Sequence, residues 1–215
     1  MDSIIFDVDG TLWDSTESVA ASWNKAIREH ADPSLAVDPD TLSKVFGKTM
    51  TEIADALFPS LTEIADTLFP TLTPERRMNL LDLCFEEENR YLQEHPGILY
   101  DGVTDTIKKL SDRYPLYIVS NCQCGYIEVL LSTTGLGSYI KDHLCFGETQ
   151  VAKGETIRML MKKNNLNSPV YVGDTQGDAD ACKMAGIPFI FAEYGFGDVP
   201  DAKTRIRTFS DLEKL

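Results

Sequence analysis

Short apolar segments alternate with longer amphipathic segments along most of the chain, and this alternation restricts the possible folds more than any other feature. The apolar segments, which are too short for helices, lie at 4–8, 115–120, 143–146, 170–172 and 188–192. The amphipathic segments lie at 102–110, 127–131, 154–163 and 179–185. Strands that alternate with helices of about 10–15 residues are typical of a parallel sheet covered by helices on both faces. We therefore predict the α/β class with a doubly wound parallel sheet.

A long segment after the first apolar strand interrupts this alternation. Ser15 and Thr16 are suitable helix caps, and Thr73-Pro74-Glu75 opens a further helix whose apolar residues recur three and four positions apart. On that helix Glu86, Glu87 and Glu88 are expected to face the solvent. We predict that residues 15–94 form a separate helical module, inserted into a core made of residues 1–14 and 95–215.

The predicted helical module contains an 11-residue tandem repeat. Residues 51–61 recur as residues 62–72 with two differences. Pro59 and Pro70 are expected to end a helix in each copy. The simplest interpretation is a duplication tolerated at the surface, because extra surface residues cost little and two copies are too few for a solenoid.

Charge and composition limit the partners of the chain. The 215 residues include 20 basic and 34 acidic side chains, for a net charge of −14. An acidic chain is a poor match for nucleic acid or for an anionic membrane surface, so an anionic substrate needs a local positive site. The chain starts without a basic leader and has no run of about 18 apolar residues, so we expect a cytoplasmic protein. Cys122 and Cys124 are too close in sequence to form half of a zinc site, and reduced thiols are expected.

The first apolar strand ends in the sequence Asp7-Val8-Asp9-Gly10-Thr11. Ligands of α/β sheets bind at the carboxyl ends of strands, where this motif places two carboxylates. Two buried anions require a positive partner, and Mg²⁺ together with a phosphate is the simplest candidate because Mg²⁺ prefers oxygen ligands. The alternative is an ordinary Asp-Gly turn with both carboxylates in water.

Polar residues follow two other predicted strands at the same edge. Ser120 and Asn121 end one strand, Asp174 and Asp178 follow another, and Lys153 begins the helix between them. Each has a structural alternative, as a helix cap, a turn or a solvated charge. Their joint order favours one site that binds a phosphoryl group and a metal ion.

These motifs resemble the four motifs of the haloacid dehalogenase superfamily of phosphohydrolases: Asp7-x-Asp9-Gly10-Thr11, Ser120-Asn121, Lys153 and Gly173-Asp174-x-x-x-Asp178. Residues 12–15 and 179–186 add a likeness to the phosphoglycolate phosphatase branch. The resemblance covers essentially the whole chain, with the helical insert in the position of that branch's C1 cap. It implies a Rossmann-like core with an α-helical cap domain, and Mg²⁺-dependent hydrolysis of a small organic phosphomonoester through an aspartyl-phosphate.

The resemblance also implies roles for the acidic residues. Asp7 is the expected nucleophile, and Asp9 protonates the leaving oxygen and then activates water. Mg²⁺ is expected on Asp7, the backbone carbonyl of Asp9, and Asp174, with Asp178 bound directly or through water.

The phosphoryl oxygens are expected to bind Ser120, Asn121 and Lys153, and Lys153 also counts as catalytic because it neutralises charge. Residues 122–124 read Cys-Gln-Cys, where many relatives carry Lys or Thr. Lys48 is a candidate contact between the cap and the substrate, since it lies where relatives place a specificity loop.

Several alternatives stay open at this level. A phosphosugar mutase or a phosphonate hydrolase of the same superfamily would keep the same core. A signalling receiver would show an uninterrupted strand and helix repeat and lack the second aspartate, and a non-catalytic phosphate-binding protein could share the fold. We expect a small phosphorylated metabolite as the partner and a monomer or weak dimer. Phosphoglycolate, sugar phosphates and nucleotides fit equally well.

Overall fold

The computed structural model of the chain describes residues 1–30, 36–44, 46 and 74–215, and side chains from residue 82 onward in the last range. The tandem repeat at 51–72 and the candidate substrate contact Lys48 lie outside the described residues. The predictions about them therefore stay predictions.

A parallel sheet of six strands forms the centre of the molecule. The described strands are β1 (Ser3–Phe6), β2 (Trp13–Asp14), β3 (Ile98–Leu99), β4 (Leu116–Ser120), β5 (Ile140–Cys145), β6 (Pro169–Gly173), β7 (Phe189–Ala192) and β8 (Arg205–Ile206). The order of strands in the central sheet is β5-β4-β1-β6-β7-β8. Ile4 of β1 pairs with Leu116 of β4 on one side and with Val170 of β6 on the other. The central position of β1 places the residue that follows it, Asp7, in the middle of the carboxyl edge.

Helices cover both faces of the sheet, which confirms the doubly wound architecture. The helices are α1 (Thr16–His30), α2 (Pro39–Ser43), α3 (Pro74–Glu94), α4 (Val103–Ser111), α5 (Tyr126–Thr134), α6 (Phe146–Thr149), α7 (Lys153–Asn164) and α8 (Gln176–Ala185). Phe6 packs on the face covered by α4 and α5, whereas Ile5 packs against α7 and α8, because successive strand residues point to opposite faces. Within the described part of the chain, no helix is long and apolar enough to cross a membrane.

The described part of the segment inserted after β1 is largely helical, as predicted, and α1 and α3 pack against each other within it. The rings of Trp23 and Phe85 meet edge to face at 5.6 Å between centroids. Lys25 Nζ lies 2.6 Å from Glu87 Oε1. The buried residues of α1 belong to the same apolar cluster as one face of the sheet, so the described part of the insert packs directly on the core. The exact division at 14/15 and 94/95 stays a prediction.

A two-stranded antiparallel ribbon joins the two points where the chain passes between core and insert. Trp13 of β2 pairs with Leu99 of β3, and Asp14 pairs with Ile98. The sequence did not predict these strands, because two residues are too few to show an alternating pattern. The ribbon holds the start and the end of the insert side by side.

Candidate active site

The turn after β1 brings Asp7 and Asp9 to the carboxyl edge of the sheet. The backbone N–H of Asp7 donates to the Val172 carbonyl at 2.9 Å, which continues the pairing of β1 with β6. Gly10 adopts a φ of +75°, and a Cβ there would collide with the carboxylate of Asp174. Glycine is therefore required at this position both for the turn and for the close approach of the two motifs.

Lys153 and three aspartates form a buried cluster at this edge. Lys153 Nζ lies 3.0 Å from Asp7 Oδ1 and 2.6 Å from Asp178 Oδ1. One carboxylate oxygen from each of Asp7, Asp174 and Asp178 lies within 4.8 Å of the others. All four side chains are at least 95% buried. The structure thus excludes the alternative that Lys153 is a solvated charge, and it brings together residues separated by up to 171 positions, from Asp7 to Asp178.

The cluster contains more negative than positive charge. Burial raises the pKa of Asp7 to about 7, the charge of Asp178 adds to this rise, and Lys153 opposes it. The pKa of Asp174 is raised well above its ordinary value, first by burial and then by Asp178 and Asp7. Burial alone would lower the pKa of Lys153, but the charges of Asp178 and Asp7 outweigh it and the pKa is raised. Three close carboxylate oxygens with one ammonium fit a divalent cation that prefers oxygen ligands, such as Mg²⁺.

Backbone and side-chain donors hold two of these carboxylates in place. The Phe196 N–H donates to Asp174 Oδ2 at 2.7 Å. Thr175 donates to Asp178 Oδ2 from its backbone N–H at 3.0 Å and from its hydroxyl at 2.7 Å. Asp178 therefore caps α8 with one oxygen and binds Lys153 with the other, so its orientation is set before any ligand arrives.

Asp9 has a different environment from Asp7. Its Oδ1 accepts three hydrogen bonds, from Trp13 Nε1 at 3.0 Å, from the Ser15 hydroxyl at 2.8 Å and from the Tyr126 hydroxyl at 2.7 Å. Burial raises the pKa of Asp9 to about 6, while the three donors lower it in part. The sequence predicted none of these donors, and for Tyr126 no local signal exists because it lies 117 positions away.

Two of the predicted phosphate-binding residues, Ser120 and Asn121, lie at the end of β4, and the third, Lys153, begins α7. Ser120 is buried. Asn121 and Lys153 line a cavity of about 560 Å³. Ser43, Lys44 and Phe46 of the insert also line it. The ring of Phe46 meets that of Phe196 edge to face at 5.7 Å, so this part of the insert contacts the core at the cavity.

A further buried carboxylate, that of Glu88 on α3, corrects the prediction that this residue faces the solvent. Glu88 is 4% exposed. Its Oε2 accepts a hydrogen bond from Trp23 Nε1, and its Oε1 accepts one from Gln123 Nε2 at 2.8 Å. Burial raises the pKa of Glu88 to about 7, and the charge of Asp9 adds to the rise. The prediction of solvent exposure from the helical pattern is wrong for Glu88 because α3 is covered on two sides, by α1 and by the loop after β4.

This buried carboxylate predicts a pH dependence of stability. The pKa of Glu88 is about 7 in the folded protein against an ordinary 4.5, so the folded state binds the proton more tightly. The resulting stabilisation is complete below about pH 4.5 and is lost as the pH rises through 7. Its full size is on the order of 3 kcal/mol. Urea unfolding in EDTA between pH 4.5 and 8 should give a steeper loss of stability for the parent protein than for Glu88→Gln. Parallel curves would contradict the assignment.

The fold and the site together define a capped α/β enzyme. It has a doubly wound sheet, a helical insert after the first strand, and a buried cluster of aspartates and a lysine at the carboxyl edge beside that insert. The model of the haloacid dehalogenase-like hydrolase family matches residues 4–192. The chain belongs to this family, as its motifs predicted, and this membership excludes the receiver hypothesis.

Individual relatives agree with this placement. The chain is 24% identical to a phosphoglycolate phosphatase of Rhodobacter capsulatus, over 99% of this chain and 94% of the relative. It is 28% identical to the phosphoglycolate phosphatase of Photobacterium profundum, over 90% and 83%. Among solved structures, a predicted phosphoglycolate phosphatase from Haemophilus somnus superposes with a TM-score of 0.81 at 21% identity, covering 100% of this chain and 97% of that one. CbbY from Rhodobacter sphaeroides in complex with xylulose-1,5-bisphosphate gives 0.79 at 17% identity, covering 99% and 96%.

Proposed function

We propose that the protein is a Mg²⁺-dependent phosphatase that hydrolyses a small organic phosphomonoester through an aspartyl-phosphate on Asp7. The observation that carries the proposal is the position of Lys153, whose ammonium binds Asp7 and Asp178 while its side chain lines the cavity under the insert. A phosphoryl group entering that cavity meets a cation next to a buried carboxylate. Positioning and charge neutralisation of this kind supply most of the catalysis in phosphoryl transfer.

The first half of the proposed reaction uses Asp7 and Asp9. A carboxylate oxygen of Asp7 attacks phosphorus, the bond from phosphorus to the ester oxygen breaks, and Asp9 gives its proton to the leaving oxygen. Ser120, Asn121 and Lys153 hold the phosphoryl oxygens. Asp7, Asp174 and the backbone carbonyl of Asp9 would hold Mg²⁺, with Asp178 bound directly or through water, and the ion would neutralise negative charge on the carboxylates and the phosphoryl group.

The second half releases inorganic phosphate. Asp9, now ionised, takes a proton from a water molecule, whose oxygen attacks phosphorus and displaces the Asp7 carboxylate. A pKa of about 6 suits both transfers near neutral pH, since Asp9 must gain and lose the proton in each cycle. The hydrogen bonds to its Oδ1 orient the carboxyl group for this task.

The cavity and the relatives support a proposal for the substrate class. We infer a small phosphorylated metabolite, because phosphoglycolate phosphatases are among the relatives and one structural neighbour holds a sugar bisphosphate. Lys44 of the insert lines the cavity and offers a cation for a second anionic group of such a substrate. We further expect a cytoplasmic monomer or weak dimer.

The test is phosphate release from a panel of phosphoglycolate, sugar phosphates, nucleoside monophosphates and p-nitrophenyl phosphate. Each ester is assayed with Mg²⁺ and with EDTA, using Asp7→Asn as the blank. Metal-dependent release that is absent from the variant supports the proposal, and the preferred ester identifies the substrate class. Phosphoryl transfer between sugar positions without net release would favour a mutase, and release only from carbon–phosphorus compounds would favour a phosphonate hydrolase.

The acid and base role of Asp9 gives a second prediction. Asp9→Asn is expected to lower kcat about 10²- to 10⁴-fold, because the amide cannot carry the proton. Binding of Mg²⁺, measured by titration calorimetry, should change little, since the backbone carbonyl of residue 9 is kept. Trp13→Phe, which removes one of the three donors to Asp9, is the comparison and should lose far less activity. Unchanged turnover in Asp9→Asn would refute the assignment.

A further inference from the structure

Two consecutive residues of α3 bind the loop that carries the predicted phosphate-binding groups. Gln123, in this loop at residues 121–125, donates from Nε2 to Glu88 Oε1 at 2.8 Å and to Asn89 Oδ1 at 3.1 Å. Asn89 Nδ2 in turn donates to the Cys124 carbonyl at 2.8 Å. Since α3 belongs to the insert and the loop belongs to the core, these three hydrogen bonds join the two parts beside the site.

Glu88 is buried, so a carboxylate at this contact costs solvation free energy. A buried carboxylate loses several kcal/mol of solvation, and an apolar side chain of similar size would pack there without that loss. The neighbouring contact between α1 and α3 is in fact aromatic, through Trp23 and Phe85. Hydrogen bonds, unlike apolar packing, set the direction of the partner, so Glu88 fixes where the side chain of Gln123 lies.

The same loop reaches both halves of the catalytic machinery. Ser120 and Asn121 precede Gln123, and Tyr126, whose hydroxyl binds Asp9 at 2.7 Å, follows it at the start of α5. On its other side the loop is held by the Gly147 N–H, which donates to the Cys122 carbonyl at 3.0 Å. A displacement of Gln123 would therefore move the phosphate-binding groups and the partner of the acid and base together.

We propose that Glu88 and Asn89 are positioning residues of the insert, which hold Gln123 and thereby align the phosphate-binding loop with Asp9. The proposal rests on the phosphatase function proposed above and adds residues that none of the four motifs contains. It assigns the insert a second task besides covering the cavity, since the insert also sets the geometry of the core loop.

The experiment is a double-mutant cycle on the full chain with Glu88→Met, which removes both acceptor oxygens, Gln123→Met and the double variant. Gln123→Met keeps the length of the side chain and removes its donor. We expect the dissociation constant of inorganic phosphate, and the KM of the preferred ester, to rise about tenfold in each single variant. In the double variant, the phosphate dissociation constant and the KM should rise no further than in the more impaired single variant, because both changes remove the hydrogen bond between residues 88 and 123. Glu86→Gln, an exposed acid on the same helix, is the matched control and should leave both constants unchanged.

Three outcomes would overturn the proposal. One is a fall in thermal stability of the variants with no change in phosphate affinity or KM, which is the signature of a purely structural contact. Another is additive loss in the double variant. The third is unchanged hydrogen exchange of the amides at 121–125 in Gln123→Met, since a released loop must exchange faster. The exchange measurement needs no substrate. It therefore tests whether Gln123 holds the loop even if the parent protein releases phosphate from none of the esters, and the failure of the phosphatase proposal is distinguishable from the failure of this one.

Discussion

An Asp7→Asn variant is expected to lose at least about 10⁴-fold in turnover and yet to be more stable than the parent protein in metal-free buffer. The loss follows because an amide cannot form the aspartyl-phosphate. The gain follows because the pKa of Asp7 is raised to about 7 by burial and by the charge of Asp178. Ionisation of Asp7 therefore costs stability as the pH rises from about 4 through 7, and its removal should raise the free energy of unfolding by about 4 kcal/mol at pH 8.

Urea unfolding in EDTA at pH 6 and pH 8, together with phosphate release, checks both parts of this prediction. The stability gain should be larger at pH 8 than at pH 6, and it should shrink when Mg²⁺ is added. Asp201→Asn, which changes an exposed aspartate in the turn before β8, is the matched control and should alter neither quantity. Turnover within tenfold of the parent protein would remove Asp7 from the role of nucleophile.

Lys153→Met is expected to lose activity to a similar extent but to destabilise the protein by about 3–5 kcal/mol in EDTA. Lys153 is the only cation that the described residues place in contact with the buried carboxylates, at 3.0 Å from Asp7 and 2.6 Å from Asp178. Its removal leaves three buried aspartates without a countercharge. Added Mg²⁺ should restore part of the stability by neutralising them, while turnover stays low because the phosphoryl group has lost its cation.

The comparison for this variant is Lys162→Met, an exposed lysine on the same helix, which should change stability by less than about 0.5 kcal/mol. Denaturant unfolding with and without Mg²⁺ measures the difference. A Lys153→Met protein as stable as the control in EDTA would mean that the aspartates are protonated or hydrated at no cost, contrary to the charge balance described above.

The two variants should thus shift stability in opposite directions while both abolish turnover. This opposition follows from the count of charges, three carboxylates against one ammonium, and it would not arise if the residues merely packed in the core. Unbalanced charge in this site lowers the free energy of unfolding when metal and substrate are absent, and the same charge allows the site to bind them.

Local features of the sequence determined the class of the fold and predicted the residues of the candidate site. An apolar segment of four or five residues followed by polar residues marks the end of a buried strand, so the sequence alone places Asp7, Ser120 and Asp174 at one edge of a sheet. The amphipathic segment at 154–163 in turn places Lys153 at the start of a helix. The interruption by helical periodicity after residue 14 likewise predicted the insert.

Only the tertiary structure decided which side chains support those residues. Tyr126 binds Asp9 across 117 positions, and Gln123 binds Glu88 across 35, and neither pair leaves a periodic signal. Glu88 lies on a polar stretch of α3 that local rules assign to the solvent, and it is buried because a loop from the core covers it. Periodicity reports which face of an element is apolar, whereas the partner of a polar side chain depends on how distant elements pack, and that information is absent from any short stretch of sequence.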